Sequence, residues 1–309
     1  MAQEKYVAYV GTYTHENSIG IHVYDIDMEK GKLTERSVAP ISNPSNIAVA
    51  HSGKYLYSIE DEGVASFSID ENGDLTKINQ AWIGGMRACY VEIDSNDRYL
   101  FLAGFHDGKV TMMRLNEDGS IAGIADGVFH QGVGKSSVEK RMDPRVSCTK
   151  LTPDEKYLCA VDWGLNQIKI YEVDYEEGKL HLYDILRFPF NSAPRRIRFS
   201  KDGKFAYVLE ETTNMVDIYT YDLREGKPVF EKIKTTSVLE KEDSLASGSA
   251  LEFAPDGKYL YVSLDGANEV VCLAVGEDGL ISIEETTKIS GDYPKCITIL
   301  PDNKTLVSL

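Results

Sequence analysis

Short apolar runs and clusters of turn residues alternate along the chain, and the alternation repeats itself. Ala254-Pro-Asp-Gly-Lys-Tyr-Leu-Tyr-Val has relatives at His51-Ser-Gly-Lys-Tyr-Leu-Tyr, Asp94-Ser-Asn-Asp-Arg-Tyr-Leu-Phe, Thr152-Pro-Asp-Glu-Lys-Tyr-Leu, Ser200-Lys-Asp-Gly-Lys-Phe-Ala-Tyr and Leu300-Pro-Asp-Asn-Lys-Thr-Leu-Val. The basic residue that closes each turn, Lys54, Arg98, Lys156, Lys204, Lys258 or Lys304, recurs at intervals of roughly 44 to 58 residues, the period of a β-rich repeat array. In each unit an apolar run enters the turn and a second leaves it, which predicts a hairpin of strands a and b. A third alternating run follows, as in Ile168-Lys-Ile-Tyr-Glu-Val, and a glycine turn then opens a more polar strand d. Four antiparallel strands per unit make one blade of a β-propeller.

The first unit starts at Tyr6 with strands b, c and d and has no strand a before them. Five whole units follow, and the last ends straight after its strand b. This favours seven blades in one domain, residues 1–309, with the sequence stopping about 30 to 40 residues short of a complete ring. Six would result if Cys296-Ile-Thr-Ile-Leu completed the first blade instead, at the cost of leaving the strand at Thr305 unpaired. An insertion from about Val128 to Asp143 makes the longest interval, and a second polar loop starts at Leu239.

Composition narrows the function classes. A formal charge of −16 disfavours nucleic acid or an anionic membrane as a partner. The five cysteines form an odd set without a C-x-x-C pair, which fits buried thiols in a reducing cytoplasm. The N-terminal residues contain no apolar stretch of the kind that marks a secretion signal.

Blade topology predicts where chemistry would sit, because the loops from d into the next a and from b into c emerge at the same end. The first set carries Arg87, Arg145, Arg195, Arg196 and Lys295; the second carries Asp61, His106, Asp162, Glu211 and Asp265. Cations gathered at one mouth of an acidic protein would make an anion site, with arginine forks suited to carboxylate or phosphate. The competing reading is that the same residues pair with neighbouring acids and join the blades. Of the six histidines, His22 and His181 fall on alternating strands and read as surface or packing residues, and His51 occupies a turn. His106, in a b-to-c loop, and His130, in the insertion, are the candidates for proton transfer. No zinc spacing, Walker loop or G-x-S-x-G occurs.

Taken together, Gly11-Thr-Tyr-Thr, Gly20-Ile-His-Val-Tyr, Asn43-Pro-Ser, Arg141-Met-Asp-Pro144, Asp162-Trp-Gly-Leu-Asn, Ala193-Pro-Arg195 and Pro255-Asp-Gly-Lys-Tyr-Leu-Tyr resemble the seven-bladed β-propeller lactonases, a family that includes 6-phosphogluconolactonases and carboxymuconate-lactonizing enzymes. The resemblance implies that Arg195 and Glu211 correspond to the family's arginine and glutamate. Arg145, Ser147 and Arg196 stand where the family carries histidines. It further implies hydrolysis of a sugar-phosphate lactone, with no metal or organic cofactor. In that reading Arg195 polarises the carbonyl, Glu211 or His106 activates water, and Arg87, Arg145, Arg196, Asp162 and Lys295 bind the small anionic substrate. Two alternatives stay open: a propeller without activity that binds an anionic carbohydrate or a protein at the same mouth, and cycloisomerase chemistry on muconate-type acids.

Overall fold

The hairpin turn that marks each repeat is the most uniform feature of the computed structural model, which describes residues 6–15, 17–132, 143–241 and 245–309. The residue before the basic marker is Gly53, Asp97, Glu155, Gly203, Gly257 or Asn303, and at all six its φ lies between 55° and 78°. Each N–H there donates to the carbonyl three residues back, at 2.8–3.0 Å. A type I turn followed by one left-handed residue is a standard hairpin connection, and only glycine takes that conformation without steric cost.

All described secondary structure is β. The strands are β1 (Tyr6–Val10), β2 (Gly20–Asp27) and β3 (Lys32–Pro40) in a three-stranded sheet. The four-stranded sheets begin with β4 (Ile47–Val49), β5 (Tyr55–Glu60), β6 (Gly63–Ile69) and β7 (Leu75–Ala81). The next is formed by β8 (Tyr90–Ile93), β9 (Tyr99–Ala103), β10 (Lys109–Leu115) and β11 (Ile121–Phe129). Then come β12 (Val146–Leu151), β13 (Tyr157–Asp162), β14 (Gln167–Asp174) and β15 (Lys179–Arg187), followed by β16 (Pro194–Phe199), β17 (Phe205–Glu210), β18 (Met215–Arg224) and β19 (Lys227–Ser237). The last four-stranded sheet is β20 (Ser247–Phe253), β21 (Tyr259–Asp265), β22 (Glu269–Val275) and β23 (Ile281–Lys288), and β24 (Ile297–Ile299) with β25 (Leu306–Ser308) forms a pair. Among the described residues the blades thus follow the predicted order a, b, c, d, with three strands in the first and two in the last.

Contacts divide the chain into two compact units, residues 1–151 with 171–183 and residues 152–170 with 184–309.

Burial explains why inner strands read as continuous apolar runs. The second strands β5, β9 and β13 are almost wholly buried, whereas the outer strands β7 and β15 are largely exposed. Sheets pack face to face, so the inner strands are covered on both sides. In the first unit Tyr57, Ile59 and Val64 of one sheet pack against Val91, Leu100, Leu102 and Met113 of the next. In the second, Leu209, Val216 and Ile218 pack against Leu251, Val262 and Leu273.

Within each unit tyrosine hydroxyls tie sheets to the turns that follow them. Within the first unit Tyr9, Tyr57 and Tyr99 donate to the carbonyls of Gly73, Gly119 and Tyr175 at 2.8–3.1 Å. Within the second, Tyr157 and Tyr207 donate to Gly226 at 3.3 Å and Gly279 at 2.8 Å. A bulge also recurs between the third and fourth strands, at Val23/Tyr24, Ser66/Phe67, Met112/Met113, Ile218/Tyr219 and Cys272/Leu273. Each increases local twist and changes which side chains face one another.

The insertion begins later than its sequence suggests, because β11 runs through Val128 and Phe129. Residues 133–142 of it, and 242–244 of the second polar loop, lie outside the described residues. No helix among the described residues is long and apolar enough to cross a membrane.

Candidate active site

In the second unit the chain enters β16 through Ala193, a left-handed residue with φ 52°. Its N–H donates to Asn166 Oδ1 at 2.9 Å, and its carbonyl accepts the Glu211 N–H at 2.9 Å. The loop before β16 is thereby tied to the turn after β13 and to the residue that follows β17. Pro194 faces Glu210 and Arg196 faces Leu209, which leaves Arg195 as the extra residue of a β-bulge. Bulges re-aim side chains. Here Arg195 Nη1 is ion-paired with Glu211 Oε2, and its Nε donates to the Ser249 carbonyl at 3.0 Å.

Trp163 Nε1 donates to the same Glu211 oxygen at 2.9 Å. The two side chains of the pair are 20% and 22% exposed, so water reaches them while their attraction is less screened than at a free surface. An arginine fork can stabilise a developing oxyanion, and the carboxylate beside it can accept a proton from water. The roles of Trp163 and Ser249 were not legible in the sequence: the first stood only as a loop residue beside Asp162, and the second acts through its backbone.

The adjacent residue Glu210 faces the interior. It is 4% exposed, accepts the Thr213 hydroxyl, and has its carboxyl pKa raised chiefly by burial and further by Asp217. Asp217 is fully buried and accepts from Lys232 Nζ and Thr235 Oγ1, both at 2.6 Å.

The other predicted residues of this unit take different positions. Arg196 is half-buried, with Nη1 donating to the Arg195 carbonyl at 3.3 Å. Lys295 is paired with Asp265. Asp162 has no accessible surface and holds the Leu165 N–H at 3.0 Å, the placement of a turn anchor.

In the first unit His106 and Arg145 line one depression of about 300 Å³ with Phe105, Asp107, Asp143 and Pro144. The Arg145 guanidinium lies 5.3 Å from the Phe105 ring centroid, and the exposed His106 ring packs edge-on against the same ring. Arg87 lines a separate cleft of about 730 Å³ with Glu60, Asp61, Trp82 and Met86. It donates to the Asn43 carbonyl and to Ser45 Oγ at 2.9 Å, and it lies 5.2 Å from the Tyr13 ring centroid. His130 is not a loop base: it is 3% exposed, directly after β11, with its ring against Tyr171.

Sheets of this order, with their repeated turns, belong to an all-β propeller of four-stranded antiparallel blades. Residues 7–309 match the family described as Lactonase, 7-bladed beta-propeller, and the chain belongs to that family. Among its relatives, the 6-phosphogluconolactonase of Bacillus subtilis strain 168 is 31% identical over 98% of this chain and 88% of its own length. A solved structure of a putative 6-phosphogluconolactonase from Bacteroides fragilis superposes with a TM-score of 0.88 at 27% identity, covering 98% of this chain and 87% of that one. The periplasmic gluconolactonase of Pseudomonas aeruginosa superposes with a TM-score of 0.90 at 27% identity, covering 98% and 88%.

Proposed function

We propose that this chain hydrolyses the lactone of an anionic sugar, with 6-phosphogluconolactone as the first substrate to try, and that residues 1–309 form one seven-bladed propeller. The observation that carries the reading is the Arg195–Glu211 pair, held by a bulge and by Trp163. Relatives named 6-phosphogluconolactonase and gluconolactonase support the substrate class.

In this reading Arg195 turns part of its fork to the lactone carbonyl and stabilises the oxyanion that forms there. Glu211 takes a proton from the attacking water. The water oxygen bonds to the carbonyl carbon, the ring C–O bond breaks, and the ring oxygen leaves with a proton, giving the open hydroxy acid. Arg196 and Lys295 supply positive charge for the substrate's anionic group. The absence of any disulfide among the five cysteines fits a cytoplasmic protein.

One observation favours a second reading, a propeller that binds without turnover. Arg195, Lys295 and Arg87 each face an acid of the same unit, Glu211, Asp265 and Asp61, as charges that join strands do. Hydrolysis of freshly generated 6-phosphogluconolactone above its spontaneous rate separates the two. The same assay on His106→Ala, Arg87→Ala and Arg145→Ala tests the roles that the sequence gives those residues.

A further inference from the structure

We propose that Ser18, His22 and Glu35 form a nucleophile, base and acid able to cleave small activated carboxylic esters, a centre separate from the Arg195–Glu211 pair. All three lie in the first unit. Ser18 Oγ is 2.9 Å from His22 Nε2, and His22 Nδ1 is 3.0 Å from Glu35 Oε2. A nucleophile within reach of a base, itself oriented by a third group, is the arrangement that activates a hydroxyl.

The fold builds this contact through a bulge. Val23 faces Ser37 and Tyr24 faces Glu35, so Arg36 is the extra residue on β3. Without it, Arg36 would sit across from Tyr24. Instead Glu35 shares a face with His22 and Tyr24, whose hydroxyl also donates to Oε2 at 3.3 Å, while Arg36 turns to Asp25 at 2.7 Å and Asp74 at 3.2 Å. Gly20 lets β2 begin hard against β3, since a Cβ there would collide with the Ala39 carbonyl. This brings the loop that carries Ser18 down onto His22.

The direction of the relay follows from its acid end. A carboxylate on Nδ1 selects the tautomer that carries its proton there, which leaves the Nε2 lone pair for the serine. Ser18 therefore donates to His22, and its oxygen is also hydrogen-bonded to Thr12 Oγ1, which in turn donates to the Gly20 carbonyl at 3.4 Å. The His22 side chain is 16% exposed and Ser18 is half-buried. Beside the serine, Ile19 is 60% exposed and provides an apolar footing for a short acyl group.

The step balances without a further reactant. Ser18 Oγ bonds to the acyl carbon as His22 Nε2 takes its proton; the ester C–O bond breaks and the leaving oxygen takes that proton. Water then repeats the sequence on the acyl-serine, which releases the acid and restores the hydroxyl.

The full-length chain is treated with a fluorophosphonate serine probe and, separately, with p-nitrophenyl acetate, and the adduct is located by peptide mass spectrometry. The expected result is one adduct at Ser18, lost in Ser18→Ala, formed at least ~10²-fold more slowly in His22→Gln and at least ~10-fold more slowly in Glu35→Gln. Loss of p-nitrophenyl acetate turnover should parallel the labelling, and thermal melting checks that the variants fold. Absence of an adduct at Ser18 in the unaltered chain overturns the proposal, whatever the variants do. Undiminished labelling in a folded His22→Gln also overturns it.

Discussion

Arg195 and Glu211 are ion-paired although one sits on β16 and the other follows β17, because the extra residue in β16 turns the guanidinium towards the neighbouring loop. If this pair turns over a lactone, Arg195→Ala lowers kcat/KM by about 10²–10³-fold, the loss typical of one oxyanion donor. Arg195→Lys restores charge but not the fork and recovers only part of the rate. Glu211→Gln loses about 10²–10⁴-fold. Rates are followed with 6-phosphogluconolactone against the spontaneous reaction; parity between parent and variants would remove these two residues from the chemistry.

Trp163→Phe keeps one aromatic ring, gives up part of the indole volume, and deletes one donor to Glu211. We expect a ~3–10-fold fall in kcat/KM and a loss of about 0.5–1.5 kcal/mol in stability, the net worth of one hydrogen bond. Chemical denaturation and steady-state rates on the same preparation check both, and an unchanged rate would show that the indole positions nothing.

Glu155 occupies the left-handed turn position that three other repeats give to glycine, with φ 57°. The conformation costs a non-glycine residue about 1–2 kcal/mol, against about 0.5–1 kcal/mol of extra chain entropy for glycine. Glu155→Gly should therefore raise the free energy of unfolding by about 0–1.5 kcal/mol in chemical denaturation, while Gly257→Glu lowers it.

Tyr207 is fully buried and its hydroxyl donates to the Gly279 carbonyl at 2.8 Å. Tyr207→Phe retains the packing and leaves that carbonyl without this donor, so about 1–3 kcal/mol of stability is lost. Burial also raises the phenol pKa far above its ordinary value, and the folded protein should show no titration of this tyrosine in a mildly alkaline ultraviolet scan.

Glu210 tests the pH dependence of folding. Burial raises its pKa in the folded state, so the folded chain binds this proton more tightly than the unfolded chain does. The favourable contribution is present in full below the unfolded value of about 4.3 and is lost as pH rises through the folded value. Glu210→Gln keeps an acceptor for Thr213 and removes the buried charge. Its melting temperature should exceed the parent's at pH 7, and the gap should close towards pH 4; a gap that persists in acid would contradict the assignment.

The repeat, the strand order and the short first and last sheets were legible because turn residues and apolar alternation are local signals. Even the left-handed turn position could be located where Asp97 and Glu155 fill it, since the basic residue after it fixes the register. What alternation cannot supply is the partner across a sheet once a bulge intervenes. Arg195 and Glu211 stand out by residue type, but their contact depends on an extra residue in β16. His22 read as a strand position of no consequence, because its partners Ser18 and Glu35 come from a loop and from a bulged neighbouring strand. His130 read as a loop base because nothing local marks how far β11 extends before its ring is covered by Tyr171.

Five of the tyrosine ties run forward, to a turn 62 to 76 residues further along, whereas Tyr221 reaches back to Asp154. A chain emerging from the ribosome therefore cannot close these five contacts until the following repeat has also emerged, so this part of the packing lags synthesis by about one repeat. A frameshift or premature stop in either unit would consequently damage the sheet upstream of the lesion as well as the one it deletes.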